Sequence, residues 1–218
     1  MTGLAPPPRA VADEEALPFA PASFDLVMSN LALHWTNDLP GALLQIRQVL
    51  KPDGLLLAAL LGGDTLLELR EALLGAEIDL AGGASPRLSP VVDLRDAGML
   101  LQRAGFALPV IDTDMLTVTY PDALALMRDL RGMGETNAAQ ERLRHPTRRA
   151  ILAEAAARYA ARHADAEGRI AARFQVIFLT GWAPSDSTPK AARRGSATHR
   201  LADAFGTVER KAGEKAGR

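Results

Sequence analysis

The apolar positions fall into two kinds of run. From Leu17 to Leu61 the chain reads Leu17-Pro18-Phe19, then Phe24, Leu26, Val27, Met28 and Leu31 as a short, nearly continuous apolar run beside Asp25. Such a run is the pattern of a strand buried on both faces of a parallel sheet, so it predicts a central strand rather than an edge. Leu39, Ala42, Leu43, Ile46, Val49 and Leu50 then recur at three-and-four spacing, which predicts a helix with one apolar side and with Gln45, Arg47 and Gln48 towards water. Asn37 and Asp38 offer capping oxygens at its start, where Pro40 costs no hydrogen bond. Pro52 and Gly54 end it and turn the chain, and Leu55 to Leu61 is apolar almost throughout, predicting a second buried strand. The unit is strand, helix, parallel strand.

Downstream, Gly62-Gly63 breaks this strand, and Asp64-Thr65 has the chemistry to cap a helix bearing Leu66, Leu69, Leu73 and Leu80, with Glu68, Arg70 and Glu71 on its wet side. Residues 81 to 90 form a glycine- and proline-rich loop whose prominent charge is Arg87, placed where it could close over a site. A helix is predicted over 91–104, ended by Gly105, and one or two strands over 106–120, where polar and apolar residues alternate. Pro121 opens a helix that ends near Arg131-Gly132, followed by the polar turn Met133-Gly134-Glu135-Thr136-Asn137. Residues 146–163 predict an alanine-rich helix whose arginines form a solvated face, and 174–182 a last apolar strand.

The totals narrow the class. A chain of 218 residues, 48% of them hydrophobic, suffices for one domain with a substantial core. A formal charge of −1 gives no field that would gather nucleic acid or an anionic membrane. No apolar run is long enough to suggest a membrane span, and the N-terminus lacks the basic start and hydrophobic core of a signal peptide. Cysteine is absent, which excludes disulfides, thiolate metal sites and a cysteine nucleophile, and fits a cytoplasmic protein. The four histidines, His34, His145, His163 and His199, have no metal-ligand spacing. The predicted organisation is an unstructured leader over 1–8, one domain over 9–183 and a net basic, flexible polar tail over 184–218.

The segments Leu17-Pro18-Phe19, Phe24-Asp25-Leu26-Val27, Leu33-His34-Trp35 and Leu50-Lys51-Pro52-Asp53-Gly54 resemble the second half of a class I S-adenosylmethionine-dependent methyltransferase domain. Gly62-Gly63-Asp64-Thr65-Leu66, Glu68-Leu69-Arg70, Gly105-Phe106, Met133-Gly134-Glu135, Asn137 and residues 194–198 are similar to one branch of that family. This is the branch containing a mitochondrial complex I assembly factor described as an arginine hydroxylase, with its bacterial relatives. The malonyl carrier-protein O-methyltransferases of biotin synthesis are more distant cousins.

The resemblance implies an α/β fold: a Rossmann-like, mostly parallel sheet in which the 174–182 strand inserts antiparallel between the Leu55 and Phe106 strands. It also implies that the glycine-rich strand, turn and helix that grip the cofactor, roughly the first third of a normal domain, lie outside this chain. A start assigned too far downstream or a broken reading frame would explain this, as would a natural short protein with another role. Without those strands, the Phe24 strand would expose unpaired backbone groups and an apolar, aggregation-prone edge.

The implied cofactor is S-adenosyl-L-methionine, and the implied acceptor is protein- or carrier-bound, with a respiratory complex I subunit among the candidates. Asp13 and Glu14 would lie under the adenine, where a carboxylate accepts from the exocyclic amine, although Asp13, Glu14 and Glu15 equally read as a solvated acidic loop. Asn30 and Leu31, at the carboxyl end of a strand where open α/β sheets bind ligands, would meet the methionine part. His34 and Trp35 would face the methyl group or the substrate, and equally read as a helix-capping histidine and a core aromatic. Asp64 belongs to the expected substrate mouth, or is punctuation. Glu135 and Asn137 are expected over the opening, or as a capping turn. His34 and Glu135 are the candidate general bases.

Overall fold

The computed structural model describes residues 9–89, 91–189, 196 and 198–208. The expected leader at 1–8 and part of the expected tail lie outside them. Two units separate by contact, 1–185 and 186–218, and the second contributes only the short helix α6 (Leu201–Ala204) among the described residues.

The first unit is built on a mixed four-stranded sheet in the order β1-β2-β4-β3. β1 (Phe24–Asn30) and β2 (Leu50–Leu61) run parallel, with Val27 opposite Leu56 and Asn30 opposite Ala59. β4 (Ile170–Trp182) lies antiparallel to β2 and to β3 (Ala107–Tyr120), the insertion the sequence predicts. Five longer helices complete the unit: α1 (Leu39–Val49), α2 (Leu67–Ala81), α3 (Leu94–Arg103), α4 (Ala123–Met133) and α5 (Arg149–His163).

Because side chains alternate along a strand, β4 feeds two cores. Its Ile177 and Leu179 join Leu56, Ala58 and Leu60 of β2 beneath α1 and α3, where Leu43, Ile46 and Leu101 close the packing. Ile170 and Ala172, on the opposite parity, pack with Leu69 and Leu73 of α2, Leu126 of α4 and Ile151 of α5. Tyr159 of α5 is fully buried there, its hydroxyl donating to the Ala171 carbonyl at 2.8 Å.

The Phe24 strand is an edge among the described residues, not the central, doubly buried strand its apolar run predicts; the open apolar edge expected from the resemblance is what the structure shows. It pairs with β2 alone, and Leu26 and Met28 are 45% and 71% exposed. Its apolar run records what the strand is suited to pack against, and among the described residues nothing covers that side. Leu57 and Phe178 continue the exposed apolar surface on the same face. Leu31 falls beyond the strand, in the left-handed region at φ 52°, with its side chain out.

Several boundaries and roles also shift. Asp38 caps α1 as expected, accepting from Gly41 N–H at 2.9 Å. α2 has no side-chain cap: Leu66 occupies that position at φ 54°, and the Thr65 hydroxyl instead bonds the β4 backbone at Gln175. Leu80 is exposed, whereas Glu68, expected on the wet side, is buried against the Arg173 guanidinium. Arg158 bridges Glu154 and Asp79, tying α5 to α2 rather than standing free. α3 starts only at Leu94, where Asp93 caps it, α5 starts at Arg149, and β4 begins four residues before Phe174.

The glycine- and proline-rich loop is held by a buried carboxylate. Glu77 of α2 receives two bonds from Arg87, at 2.6 and 3.0 Å, and further bonds from the Ser85 amide and hydroxyl. Arg87 also reaches the Thr147 hydroxyl. Burial alone would raise the Glu77 pKa, but the Arg87 and Ser85 bonds outweigh it and hold the carboxyl below its ordinary 4.5.

Arg87→Ala leaves a buried charge uncompensated and should cost about 3–5 kcal/mol in denaturant unfolding. With its folded pKa depressed, Glu77 contributes stability above pH 4.5 that is lost as pH falls through the folded value, and acid titration of Arg87→Ala should lack this component. Met28→Lys on the open edge should slow aggregation in light scattering while changing stability by no more than about 0.5 kcal/mol.

Candidate functional site

β1 ends in an open αβ-type corner. After Asn30 the chain turns at Leu31, whose amide donates to the Ala59 carbonyl of β2 at 2.8 Å, and enters a 3-10 turn over Leu33–Trp35. Leu33 is buried in the core and pins this turn, so His34 and Trp35 have fixed places above the carboxyl ends of β1 and β2. The two rings stand 5.6 Å apart, tilted by 40°.

The turn after α4 comes to meet them. Gly134 closes that helix at φ 87°, a conformation suited to glycine, and Glu135 follows. Its Oε1 lies 3.1 Å from His34 Nε2, joining residues 101 positions apart. The His34 side chain is only 4% exposed and Glu135 is 24% exposed, so the carboxylate is the more open member of the pair. His34 Nδ1 is buried and has no hydrogen-bond partner among the described residues. With a carboxylate accepting at Nε2, that nitrogen carries a proton.

His34, Trp35 and Glu135 line a recess of about 50 Å³ whose remaining wall includes Arg70, Ser89 and Asn137. A second recess of about 280 Å³ shares His34, Trp35 and Ser89 with it and runs to Gln140 and Glu141. Asn137 acts partly as a tie: its amide nitrogen donates to the Pro86 carbonyl at 2.7 Å and its oxygen accepts from Ala139 N–H. Ser89 accepts from Ala138 N–H, so the Arg87 loop and the Glu135 turn are stitched together along the rim.

Asp64 does not line this recess, although its neighbours Thr65 and Leu66 do. Its amide is held by the Gln175 side chain at 3.0 Å, and Gly62 is packed so close to Gln175 that an added Cβ would lie 2.4 Å from Oε1. Gly62 is therefore what lets β2 turn tightly against β4 and deliver α2, with Arg70, to the recess wall.

The acidic stretch before β1 divides its labour. Asp13 closes a local turn by accepting from Glu15 N–H at 2.9 Å. Glu15, which sequence reasoning did not single out, accepts the Asn37 and Asp38 amides at the start of α1. A carboxylate there also suits the positive end of the helix. Gln45 straps the same segment down through the Leu17 amide and the Glu15 carbonyl. A Glu followed 22 residues later by an Asn-Asp cap has no local signature, so sequence gave no signal for it. Glu14 remains exposed and lines a recess of about 450 Å³ with Phe19, Val27, Ser29 and Asn30, on the open side of β1. The candidates thus fall into two groups: Glu14 and Asn30 beside the open strand, and His34, Trp35, Glu135 and Asn137 around the smaller recess. Among the described residues no three His, Asp or Glu side chains converge to hold a metal ion, and no helix is long and apolar enough to cross a membrane.

Gly62→Ala should cost about 1–3 kcal/mol through overpacking, measured by denaturant unfolding.

Comparison with known proteins places these features in context. A family model described as a methyltransferase domain matches residues 4–58. The chain is 49% identical over 193 residues to the mitochondrial arginine-hydroxylase NDUFAF5 of Danio rerio, covering 88% of this chain and 60% of that protein. It is 43% identical over 173 residues to the malonyl-[acyl-carrier protein] O-methyltransferase of Xylella fastidiosa (strain M23), covering 79% of this chain and 56% of that protein. The chain therefore spans a little under two thirds of the curated relatives it matches. Among solved structures, a putative methyltransferase from Bacillus halodurans C-125 superposes with a TM-score of 0.49 at 15% identity, covering 80% of this chain and 76% of that one.

Proposed function

We propose that this chain, which matches a methyltransferase domain over residues 4–58 and is 49% identical over 193 residues to a longer protein of which it covers 60%, forms the acceptor side of an S-adenosylmethionine-dependent modification site acting on a protein- or carrier-bound substrate. The observation that carries this reading is the contact between His34 and Glu135, from two separate elements, at the wall of a recess above the carboxyl ends of parallel strands.

The cofactor is suited to one flank of the described residues. The larger recess beside β1 has an apolar wall from Leu17, Phe19 and Val27 for a flat base, an exposed Glu14 carboxylate able to accept from an amine, and Asn30 at the strand's end. Glu14 and Asn30 are the residues that would hold it, with Leu31 at the turn; Asp13 shapes the loop. When bound, S-adenosylmethionine supplies an electrophilic methyl group. This chain's own residues align the acceptor and manage its proton: Glu135, the more open member, receives it, while His34 Nε2 holds the carboxylate in place and shares the charge. Trp35 lines both recesses and excludes water from the first.

A second reading draws on the higher identity, over a larger share of the chain, to the arginine-hydroxylase relative. In it, the protein is an assembly factor that binds a respiratory complex I subunit and modifies an arginine. Complex I assembly in a deletion strain separates the two, because a purely metabolic methyltransferase leaves it intact.

The direct test is transfer of labelled methyl from S-adenosylmethionine to acyl carrier protein or subunit peptides by the full protein. Glu135→Gln should lower kcat by about 10²–10⁴-fold with a smaller change in KM, and His34→Ala should lower it comparably. Full activity in both variants sinks the proposed roles, and no transfer to either class of acceptor sinks the function.

A further inference from the structure

Arg70 sits in the second turn of α2, half-buried, on the wall of the recess that holds His34 and Glu135. Other arginines around α2 are satisfied: Arg87 by Glu77, Arg158 by Asp79 and Glu154, and Arg173 by Glu68. The guanidinium of Arg70 has neither a hydrogen bond nor a carboxylate partner among the described residues, although Glu135 lines the same recess.

Several polar groups on the same wall are already committed, while His34 Nδ1 is not. Glu135 is engaged by His34, Asn137 by Pro86 and Ala139, Ser89 by Ala138, and the Thr65 hydroxyl by the Gln175 backbone. The rest of the wall is largely apolar, with Leu61, Leu66, Leu130 and Phe174. A cation held against such a wall has a strong demand for an anion, because the local dielectric is low and the five donors form a rigid fork. The unmet need of the recess is therefore negative charge. A guanidinium or ammonium ligand would meet Arg70 as a like charge, with one oxygen of Glu135 already engaged by His34.

We propose that Arg70 is the specificity-determining residue of this recess and that it anchors a carboxylate on the acceptor, pairing with it side-on through two parallel N–H donors. The inference rests on the recess being the acceptor side, and it names the chemical class the acceptor must carry: an acidic acyl chain or an acidic peptide side chain. Trp35 supplies the flat apolar surface along which the carbon atoms leading to that carboxylate lie.

The test follows the indole N–H resonance of Trp35 in the full 218-residue chain, with Trp182 as the internal control. Titration with succinate should shift the Trp35 signal saturably and leave Trp182 unmoved, while the guanidinium compound agmatine should shift neither. Arg70→Gln, which keeps length and polarity but removes the charge, should weaken succinate binding at least about tenfold. Arg70→Lys should retain part of it, and a cooperative thermal melt matching wild type confirms that each variant is folded. Succinate binding undiminished in Arg70→Gln, a saturable response to agmatine instead, or no succinate response in the folded wild-type chain overturns the proposal. Binding of an acidic peptide or of a free acidic acyl chain, compared at matched charge, then identifies the source. No methyl donor enters this experiment, so its failure leaves the methyl-transfer reading standing, and loss of methyl transfer leaves the Arg70 result untouched.

Discussion

β4 is hydrogen-bonded along both edges, and the placement of the recess wall is referred to it. Its pairing with β2 and β3 closes the sheet, and its backbone also receives groups from outside the ladder. Gly62 and Thr65 reach the Gln175 carbonyl, Leu66 reaches that of Arg173, and Tyr159 that of Ala171. Side chains repeat the arrangement: Gln175 holds the Asp64 amide and Arg173 holds the buried Glu68. Because residues 62–66 are fixed to β4 rather than capped on themselves, α2 leaves the sheet at one defined angle. Arg70 reaches the recess because of that angle, and Glu77 reaches Arg87 two turns later.

The two recesses differ in how firmly they are built. The smaller one is enclosed by elements tied to one another: the 3-10 turn through Leu33, the Glu135 turn through His34, and the Arg87 loop through Glu77 and Asn137. The larger one has a floor from β1 and α1 and a lip from Glu14, but its far side is the open edge of the strand. Such a structure presents a preorganised recess beside a half-walled one, the former being the proposed acceptor side. Preorganisation matters most for the acceptor in a displacement whose electrophile is carried by a cofactor, since alignment is the protein's main contribution there.

The legible parts of the sequence were those where local pattern and tertiary packing agree. Three-and-four spacing from Leu39 to Val49 and the Asp38 cap gave α1, and unbroken apolar runs gave the Leu55 to Leu61 part of β2 and most of β4, while residues 50–54, read as the helix end and a turn, form the start of β2. The first residues of β4, Ile170-Ala171-Ala172-Arg173, have weak strand propensity and extend the strand because β3 pairs with them. The Phe24 run was read as central because hydrophobicity reports what a strand can bury against, not whether the neighbour is there. Asp64-Thr65 looks like a cap, yet β4 offers the Thr65 hydroxyl a better partner. Buried Glu68 and Glu77 escaped because a charge on a helix is assigned to water by default, and their partners come from elements the pattern cannot place. For the site, the family resemblance named His34 and Glu135 separately; only the fold joins them, across 101 positions.

The proposed site draws on two turns and on the start of α2, and each is held by a neighbouring group to which no chemistry is assigned. Leu33 anchors the turn carrying His34, Gly134 permits the one carrying Glu135, and Gly62 allows the approach to β4 that delivers Arg70. In each case a small or buried apolar residue lies within eight positions of a functional one. A substitution at these anchors would displace the site without touching it, so loss of activity there reports geometry, whereas loss at Glu135 with the fold intact reports proton handling. Buried charge enforces the same division. Glu77 and Glu68 are each paired with an arginine within the scaffold, whereas Arg70, half-buried on the recess wall, has no carboxylate partner among the described residues.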